Sequence, residues 1–397
     1  MAIPPIAALE IGTTQTVVLV GELDPSQRIR IIGKGTYPTT GVHKGQVVDL
    51  LHAKVGVEQA VKQASEDSDV DIGHVILAVS GGHIEASLNQ GSTPIIARDH
   101  IVTAEDVEEV TNNAKTISLP EDRDIMHTIP QSYSIDGQSG IVKPEGLRGN
   151  QLLLNMLLIH AKKGPVENLR NVAIESQLDV DDVVFSGLCA ALAVLTPDQK
   201  RNGVAVIDLG GGTTNYLAYA GNVMATAGSI AVGGEHVTND LALAFNIPQT
   251  RAEELKLQFG SAVISQSTGL KRISIPNDFG KQDQTVSLKA FHTVMNARMA
   301  ETLHIVRSRL HENNVLTRLG TGIVFTGGGA AMPGLCELGQ SIFGVPCSIG
   351  VPSVFSPKLD NVPNLHAYAT AVGLIQYGIR TYHDTGVKDF FRRIFGR

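Results

Sequence analysis

The chain has 397 residues, which is too long for one small core and fits two to three domains of about 150 residues each. Its formal net charge of -7 argues against general nucleic-acid binding, which needs a basic surface. The three cysteines form no CxxC pair, so neither a disulfide framework nor a zinc site is expected. We also expect no signal peptide and no transmembrane helix.

The N-terminal residues predict a β-hairpin. Residues 6–11 are mostly apolar, residues 16–20 are β-branched and apolar, and Gly12-Thr13-Thr14 forms the turn near their junction. One acid, Glu10, stands two residues before the turn glycine.

The same pattern returns about half a chain later. Residues 204–209 form an apolar strand with one acid, Asp208, again two residues before a turn glycine. The turn that follows consists of Gly210, Gly211, Gly212, Thr213 and Thr214. Two such hairpins suggest a duplicated domain, and the alternation of strands and helices in each half indicates an α/β fold.

Two regions interrupt the duplicated pattern. Region 84–165 begins with a helix predicted over 104–115, which is capped by Thr103, and continues with strands rich in proline and glycine over 127–149. Region 236–310 mixes strand with a long helix predicted from Leu288. The two regions are predicted to be inserted subdomains.

A third glycine-rich turn follows a β-branched strand at residues 323–326. It contains Gly327, Gly328 and Gly329, and Pro333 marks the start of a helix. Glycines here would let a flat adenine or ribose lie against the backbone. Taken alone, this piece is explained better by an ordinary strand–helix turn.

Together the turns can support a nucleotide. Turn N–H groups and threonine hydroxyls suit phosphate oxygens, and Asp208 suits Mg²⁺ held through water. Either hairpin alone would be an ordinary glycine-rich turn. No GxxxxGK[ST] motif is present, and Gly210 is followed by a strand, which argues against a dinucleotide-binding Rossmann unit.

The ordered set of two acid-glycine hairpins and one TGGG turn resembles the actin-like ATPase superfamily. The segments 126–149, 233–240 and 367–374 are similar to the FtsA family of bacterial cell-division proteins, from about residue 6 to the C-terminus. The resemblance implies an α/β, actin-like two-domain ATPase fold, built from duplicated ribonuclease-H-like cores with an inserted 1C subdomain.

The resemblance also implies a division of the chain into subdomains. The implied parts are 1A at 1–83 and 166–203, 1C at 84–165, 2A at 204–235 and 311–377, 2B at 236–310, a polar linker at 378–386, and a membrane-targeting helix at 387–397.

The resemblance further implies an ATP-Mg²⁺ site in the cleft between the two domains. Asp208 and Glu10 would hold the Mg²⁺ through water, and both are the candidate catalytic acids. Glu253 and Lys256 would contact the nucleoside, although an exposed charged helix face explains that pair equally well. The remaining nucleotide-binding residues are Gly12, Thr13, Thr14, Gly210, Gly211, Gly212, Thr213, Thr214, Gly234, Gly327, Gly328 and Gly329.

Three positions depart from the pattern of faster ATPases in the superfamily. Glu10 replaces an aspartate, Asn215 replaces a common aspartate, and Ser186 stands where a glutamate or glutamine orients the attacking water. In-line attack on a phosphate needs a positioned water. We therefore expect weak ATPase activity at most.

The last eleven residues form an amphipathic pattern. The apolar residues fall at helical spacing, and cations flank them. The proposed membrane-contacting residues are Val387, Phe390, Phe391, Arg392, Arg393, Ile394 and Phe395. A terminal helix docked on the protein's own core explains the pattern equally well. The acidic body and basic tip favour the membrane, since residues 387–397 carry four basic and one acidic group.

The family resemblance implies an adaptor at the cytoplasmic face of the inner membrane, at the division site. It implies filament formation, binding of the FtsZ C-terminal tail on subdomain 2B, contact with other division proteins and an anionic membrane, and no nucleic-acid partner. A sugar-kinase-type phosphotransferase and an actin-like pilus-assembly protein are the alternatives. A sugar kinase would need a base in the cleft, and Ser186 offers none.

Replacing both Phe390 and Phe391 by Glu should release the protein from anionic liposomes, because the rings would no longer enter the acyl region. Co-sedimentation with vesicles measures this loss. Unchanged pelleting of the double variant would contradict the membrane contact.

Overall fold

The computed structural model describes residues 4–26, 28–265, 270–275, 284–354, 356, 358–359 and 362–384. The predicted membrane-targeting helix at 387–397 lies outside these described residues. Within them, no helix is long and apolar enough to cross a membrane.

The first half of the chain builds one five-stranded sheet. Its early elements, in chain order, are β1 (Ile6–Ile11), β2 (Gln15–Leu23), β3 (Ile29–Pro38), β4 (Val42–His43), β5 (Gln46–Val47), α1 (Leu50–Ser68) and β6 (His74–Val79). β1, β2 and β3 are antiparallel, and β6 is parallel to β1. Most residues of strands β1 and β2 are buried, as expected for a sheet covered on both faces.

A four-stranded sheet with one helix is inserted after β6. Its elements are β7 (Glu85–Pro94), α2 (Ala104–Lys115), β8 (Arg123–Ile135), β9 (Gln138–Ile141) and β10 (Gln151–Lys162), with the strand order β7-β10-β8-β9. The start of α2 carries the predicted capping box between Thr103 and Asp106. Val110 and Ala114 are on the same face of α2 as Asp106, and they are buried in one apolar cluster with residues of this sheet.

The chain then returns to the first sheet. The elements are α3 (Lys163–Glu175), β11 (Asp179–Phe185), α4 (Ser186–Val194) and α5 (Pro197–Asn202). β11 pairs in parallel with β6 and completes the order β11-β6-β1-β2-β3.

The second half repeats this plan. Its elements are β12 (Val204–Leu209), β13 (Thr214–Ala220), β14 (Val223–Ile230), α6 (Gly234–Phe245), α7 (Gln249–Phe259), β15 (Arg272–Ile275), β16 (Gln284–Ser287), α8 (Leu288–Glu312), β17 (Gly322–Thr326), α9 (Leu335–Phe343), β18 (Cys347–Ile349) and α10 (Ala369–Asp384). The second sheet has the order β14-β13-β12-β17-β18.

The two sheets share one topology. In each, three antiparallel strands are followed by two strands that pair in parallel, and the first hairpin has its acid in the same register: Glu10 opposite Val17, and Asp208 opposite Asn215. The duplication predicted from the two hairpins is therefore confirmed, together with the α/β class.

Helix α10 joins the two halves. It follows the second sheet in the chain, yet it packs on the first sheet, where Ala371, Leu374 and Ile375 are buried with Ala8 and Leu19. α10 also crosses α4 very closely. A Cβ on Gly373 would lie 1.9 Å from the backbone oxygen of Cys189, so only glycine permits this approach.

The structure corrects two details of the sequence prediction. The polar linker predicted at 378–386 is wrong for residues 378–384, because these continue α10, in which Ile379 and Thr381 are buried. The helix predicted to start at Pro333 begins two residues later, after a short 3₁₀ turn at Gly328–Ala331 and the left-handed Gly334.

Replacing Gly373 by Ala should destabilise the protein by about 1–3 kcal/mol, since a methyl group there forces α4 and α10 apart. Urea unfolding measures the change in midpoint. Gly164→Ala is the matched control, because an added Cβ at this helical glycine meets no atom within 4 Å. Equal midpoints for the two variants would refute the close-crossing argument.

Candidate functional site

The turns of the two acid-glycine hairpins face each other. Each closes on itself in the same way, with Gly12 N–H donating to the Gln15 carbonyl at 3.0 Å and Gly210 N–H donating to the Thr213 carbonyl at 2.9 Å. A Cβ on Gly211 would lie 2.5 Å from the Thr14 methyl carbon. The tertiary structure thus brings the predicted phosphate-binding turns into van der Waals contact.

Two carboxyl groups lie beneath these turns. Asp208 is buried, and one of its oxygens accepts a hydrogen bond from the Asn215 amide nitrogen at 2.9 Å. Burial raises the pKa of Asp208 above its ordinary value. Burial, and secondly the charge of Asp208, raise the pKa of Glu10 to about 8. The acids predicted to act together therefore share one environment of low polarity.

The same pocket contains acceptor oxygens without donors. Glu10 Oε2 and Asn215 Oδ1 are buried and have no hydrogen-bond partner. An unsatisfied buried acceptor next to a buried carboxylate is costly, and a hydrated cation removes that cost. The donor set therefore fits a divalent cation held largely through water, as predicted for Asp208 and Glu10.

The protein alone does not complete a metal shell here. In the described part of the chain, no group of three or more His, Cys, Asp or Glu side chains could hold a metal ion. Mg²⁺ prefers six oxygen ligands and keeps several waters. Two carboxylates therefore suit an ion whose other ligands are water and phosphate.

The start of α6 packs directly on the second turn. Gly234 N–H donates to the Gly210 carbonyl at 2.9 Å, and Glu235 N–H donates to the Gly211 carbonyl at 2.8 Å. A Cβ on Gly233 would lie 2.5 Å from the Gly211 oxygen, so this contact needs glycine. These bonds hold the Gly210 turn in place from its outer side.

The charged pair on α7 reaches this same helix start. Lys256 Nζ lies 2.6 Å from Glu253 Oε2 and 3.2 Å from the Gly234 carbonyl oxygen. Thr238 donates its hydroxyl hydrogen to the Glu253 carboxylate and accepts a bond from Lys256 at 3.0 Å. The Lys256 side chain is only 13% exposed, whereas that of Glu253 is 41% exposed.

The third glycine-rich turn lies against Asp208. Gly327 has a left-handed backbone (φ 82°), and a Cβ there would lie 2.2 Å from Asp208 Oδ1. Gly329 packs against Leu209, whereas an added Cβ on Gly328 meets no atom within 4 Å. His366 stabilises the turn, since its Nδ1 lies 3.0 Å from the Gly327 carbonyl oxygen.

The sequence reasoning missed a further piece of this site, the β4–β5 hairpin. Lys44 and Gly45 form its left-handed turn, and the Lys44 backbone would lie 3.0 Å from a Cβ on Gly212. Nearby, the hydroxyls of Ser80 and Thr213 are 3.1 Å apart. The signal was a Lys-Gly turn between two-residue strands, which is too short for periodicity to detect.

The positions expected to limit hydrolysis also lie here. Ser186 is buried as the first residue of α4, and a Cβ on the neighbouring Gly187 would lie 3.3 Å from Asn215 Cβ. The start of α4 and Asn215 are therefore adjacent. Neither Ser186 nor Asn215 carries a carboxylate.

Sequence comparison places the chain close to one family. The family model described as Cell division protein FtsA matches residues 205–373, and a second, described as the SHS2 domain inserted in FTSA, matches residues 81–160. The chain is 34% identical over 396 residues to the cell division protein FtsA of Escherichia coli K12, covering 98% of this chain and 93% of that protein. It is 31% identical over 379 residues to FtsA of Pseudomonas aeruginosa, covering 96% and 90%.

Comparison with solved structures supports the fold. The PilM-PilN type IV pilus biogenesis complex matches with a TM-score of 0.64 and 16% identity, covering 94% of this chain and 98% of that chain. MreB5 of Spiroplasma citri bound to AMPPNP matches with a TM-score of 0.56 and 16% identity, covering 96% and 99%. The architecture is actin-like, and the insertion after β6 corresponds to the SHS2 domain.

The raised pKa of Glu10 predicts a pH effect on stability. The folded state binds this proton more tightly than the unfolded chain, whose pKa is 4.5. In magnesium-free buffer the free energy of unfolding should therefore fall as pH rises from about 4.5 to about 8, by on the order of 1 kcal/mol per pH unit.

Urea unfolding at several pH values tests this effect. Glu10→Gln should remove the fall, whereas Glu109→Gln, on the exposed face of α2, should keep it. If the free energy of unfolding of Glu10→Gln falls with pH as it does in the parent protein, Glu10 does not retain its proton.

Proposed function

We propose a function from the premise that this chain belongs to the FtsA family of cell division proteins. In this proposal it is a division adaptor that binds ATP-Mg²⁺, assembles into actin-like filaments and tethers FtsZ polymers to the membrane. The proposal that the protein binds a nucleotide rests on one observation: the two glycine turns contact each other over Glu10 and Asp208. The remaining parts rest on family membership and on the C-terminal sequence.

The three glycine-rich turns would hold the phosphates. Neighbouring atoms of the site lie so close that side chains are excluded at Gly211, Gly212 and Gly327, and turn N–H groups attract phosphate oxygens. Asp208 and Glu10 would orient the waters of a bound Mg²⁺, which supplies charge neutralisation for the phosphates. Glu253 and Lys256 would contact the nucleoside. The similar MreB5 structure is described as bound to AMPPNP, which supports this proposal.

Slow hydrolysis follows from the same geometry. The position expected to orient an attacking water is Ser186, which is buried and neutral, and its neighbour Asn215 already donates to Asp208. A water placed there lacks a strong base. In this proposal ATP acts mainly by joining the two domains and favouring assembly, with weak ATPase activity at most.

The partner contacts belong to other surfaces. Residues 387–397 would bind anionic lipid on the cytoplasmic face of the inner membrane at the division site, and region 236–310 would bind the FtsZ C-terminal tail. One copy of an eleven-residue helix binds weakly, so a filament would strengthen attachment by avidity. Other division proteins would be recruited to the same assembly.

The alternative functions have less support. A sugar-kinase-type phosphotransferase needs a base beside the substrate hydroxyl, and Ser186 is not one. A pilus-assembly role shares only the fold with the PilM-PilN complex, at 16% identity. Rapid phosphoryl transfer to a sugar in a turnover assay would replace the adaptor proposal.

Replacing Asp208 by Ala should abolish Mg²⁺-dependent ATP binding, because the buried carboxylate that orients the hydrated cation is lost. Titration with a fluorescent ATP analogue, with and without EDTA, measures the affinity. We expect at least a tenfold loss, or about 1.4 kcal/mol. Asp198→Ala, at an exposed acid of α5, is the control, and equal binding by both variants would contradict the assignment to Asp208.

The adaptor role predicts ATP-dependent recruitment. With anionic liposomes and ATP, the protein should pellet and carry FtsZ with it, whereas without ATP pelleting should weaken because avidity is lost. Electron microscopy of the pellets tests for filaments. If the same amount of FtsZ pellets with the protein when liposomes and ATP are both absent, the protein is not a membrane adaptor.

A further inference from the structure

A cavity lies at the end of β1 that is opposite to the glycine turns. Its volume is about 610 Å³, and it opens where β1, β6 and β11 meet the last turns of α10. Most of its lining is apolar, and the apolar residues include Pro4, Pro5, Ile6, Val70 and Ile72. A cavity of this size has room for several large apolar side chains.

The rim of the cavity is acidic. Asp71, Asp181 and Asp182 line it, and the basic residue among the described lining is His74, whose Nδ1 lies 2.9 Å from Asp181 Oδ1. Asp71 and Asp181 are exposed. The cavity therefore combines an apolar interior with a negative edge, which suits an apolar segment that carries cations.

The C-terminal segment 387–397 has this composition. It contains Phe390, Phe391 and Phe395, together with four basic residues and one acidic residue. This segment and the acidic cavity are complementary in both charge and polarity.

The cavity lies within easy reach of this segment. Thr381 and Tyr382 of α10 line the cavity, and Val387 follows the end of α10 at Asp384 by three residues. Three extended residues span up to about 10 Å. A segment tethered this closely has a high effective concentration at the cavity, so even a weak contact is populated.

We propose that residues 387–397 of the same chain dock in this cavity when no membrane is present. The phenylalanine side chains fill the apolar interior, and the basic residues meet Asp71 and Asp181. The cavity and the lipid surface then compete for one segment. The apparent membrane affinity is then the intrinsic affinity multiplied by the fraction of molecules in which the segment is free. This competition rests on the proposed membrane contact, whereas the docking itself does not.

Limited trypsin digestion of the full chain tests the docking, because cleavage after Arg392 and Arg393 requires an accessible segment. Asp71→Lys with Asp181→Lys should speed this cleavage about tenfold in the absence of liposomes. Glu108→Lys with Glu109→Lys, at exposed acids of α2, makes the same change of net charge and should leave the rate at the parent value. Equal rates in all three proteins would overturn the proposal.

The occupant is identified by cross-linking. The pair Gly73→Cys and Phe391→Cys should form an intramolecular disulfide when diamide is added, since Gly73 lines the cavity and an added Cβ there meets no atom within 4 Å. Gly164→Cys with Phe391→Cys is the control, at an equally open glycine outside the cavity. A disulfide found only between two chains, or none above the control, would overturn docking within one chain.

Liposome binding separates the two proposals. If the Asp71/Asp181 variant binds anionic vesicles more tightly than the Glu108/Glu109 control, docking and membrane contact compete as proposed. If no protein binds vesicles while the cleavage rates still differ, the membrane contact fails and docking stands. If vesicle binding is normal and cleavage rates do not differ, docking fails alone.

Discussion

The structure depends on one electrostatic constraint, two carboxyl groups buried together under facing glycine turns. Glu10 and Asp208 come from equivalent strands of the two halves, and burial raises the pKa of both. Like charges in a medium of low polarity repel unless a proton or a cation lies between them. In the isolated chain a proton on Glu10 would relieve this repulsion. In the proposed complex, hydrated Mg²⁺ and the phosphates would take over that role.

The contacts around the two turns extend this coupling outward. Beside the turns, Gly81 N–H donates to the Ser229 hydroxyl across the two halves at 3.2 Å. The inserted SHS2 sheet also contacts the second half, where the Gln131 amide donates to the Met224 carbonyl at 2.8 Å. Helix α10 provides a third link through its crossing with α4 at Gly373. The two halves are therefore connected at the turns, through the inserted sheet and through α10.

Much of the fold could be predicted because its signals are local. Helix α2 is defined by a capping box among neighbouring residues, and the strands of both hairpins by apolar runs that end at glycines. The end of α10 could not be predicted in this way. Residues 378–384 look polar as a sequence, but Gly378 packs against Ile6 and Ile76 of the first sheet, and this contact continues the helix. Tertiary packing outweighs the weak local propensity of a glycine-containing segment.

The sequence by itself determined the duplicated α/β plan, the acid before each turn and the glycines within each turn, because each of these features depends on a few adjacent residues. Only the tertiary structure decided which of these pieces meet. Glu10 and Asp208 are about 200 residues apart in the chain, and their shared burial is a property of two sheets packed together. The β4–β5 turn at Lys44 and the acidic cavity beside α10 likewise exist only after packing. Side chains distant in sequence acquire a common electrostatic environment only when folding removes the water between them.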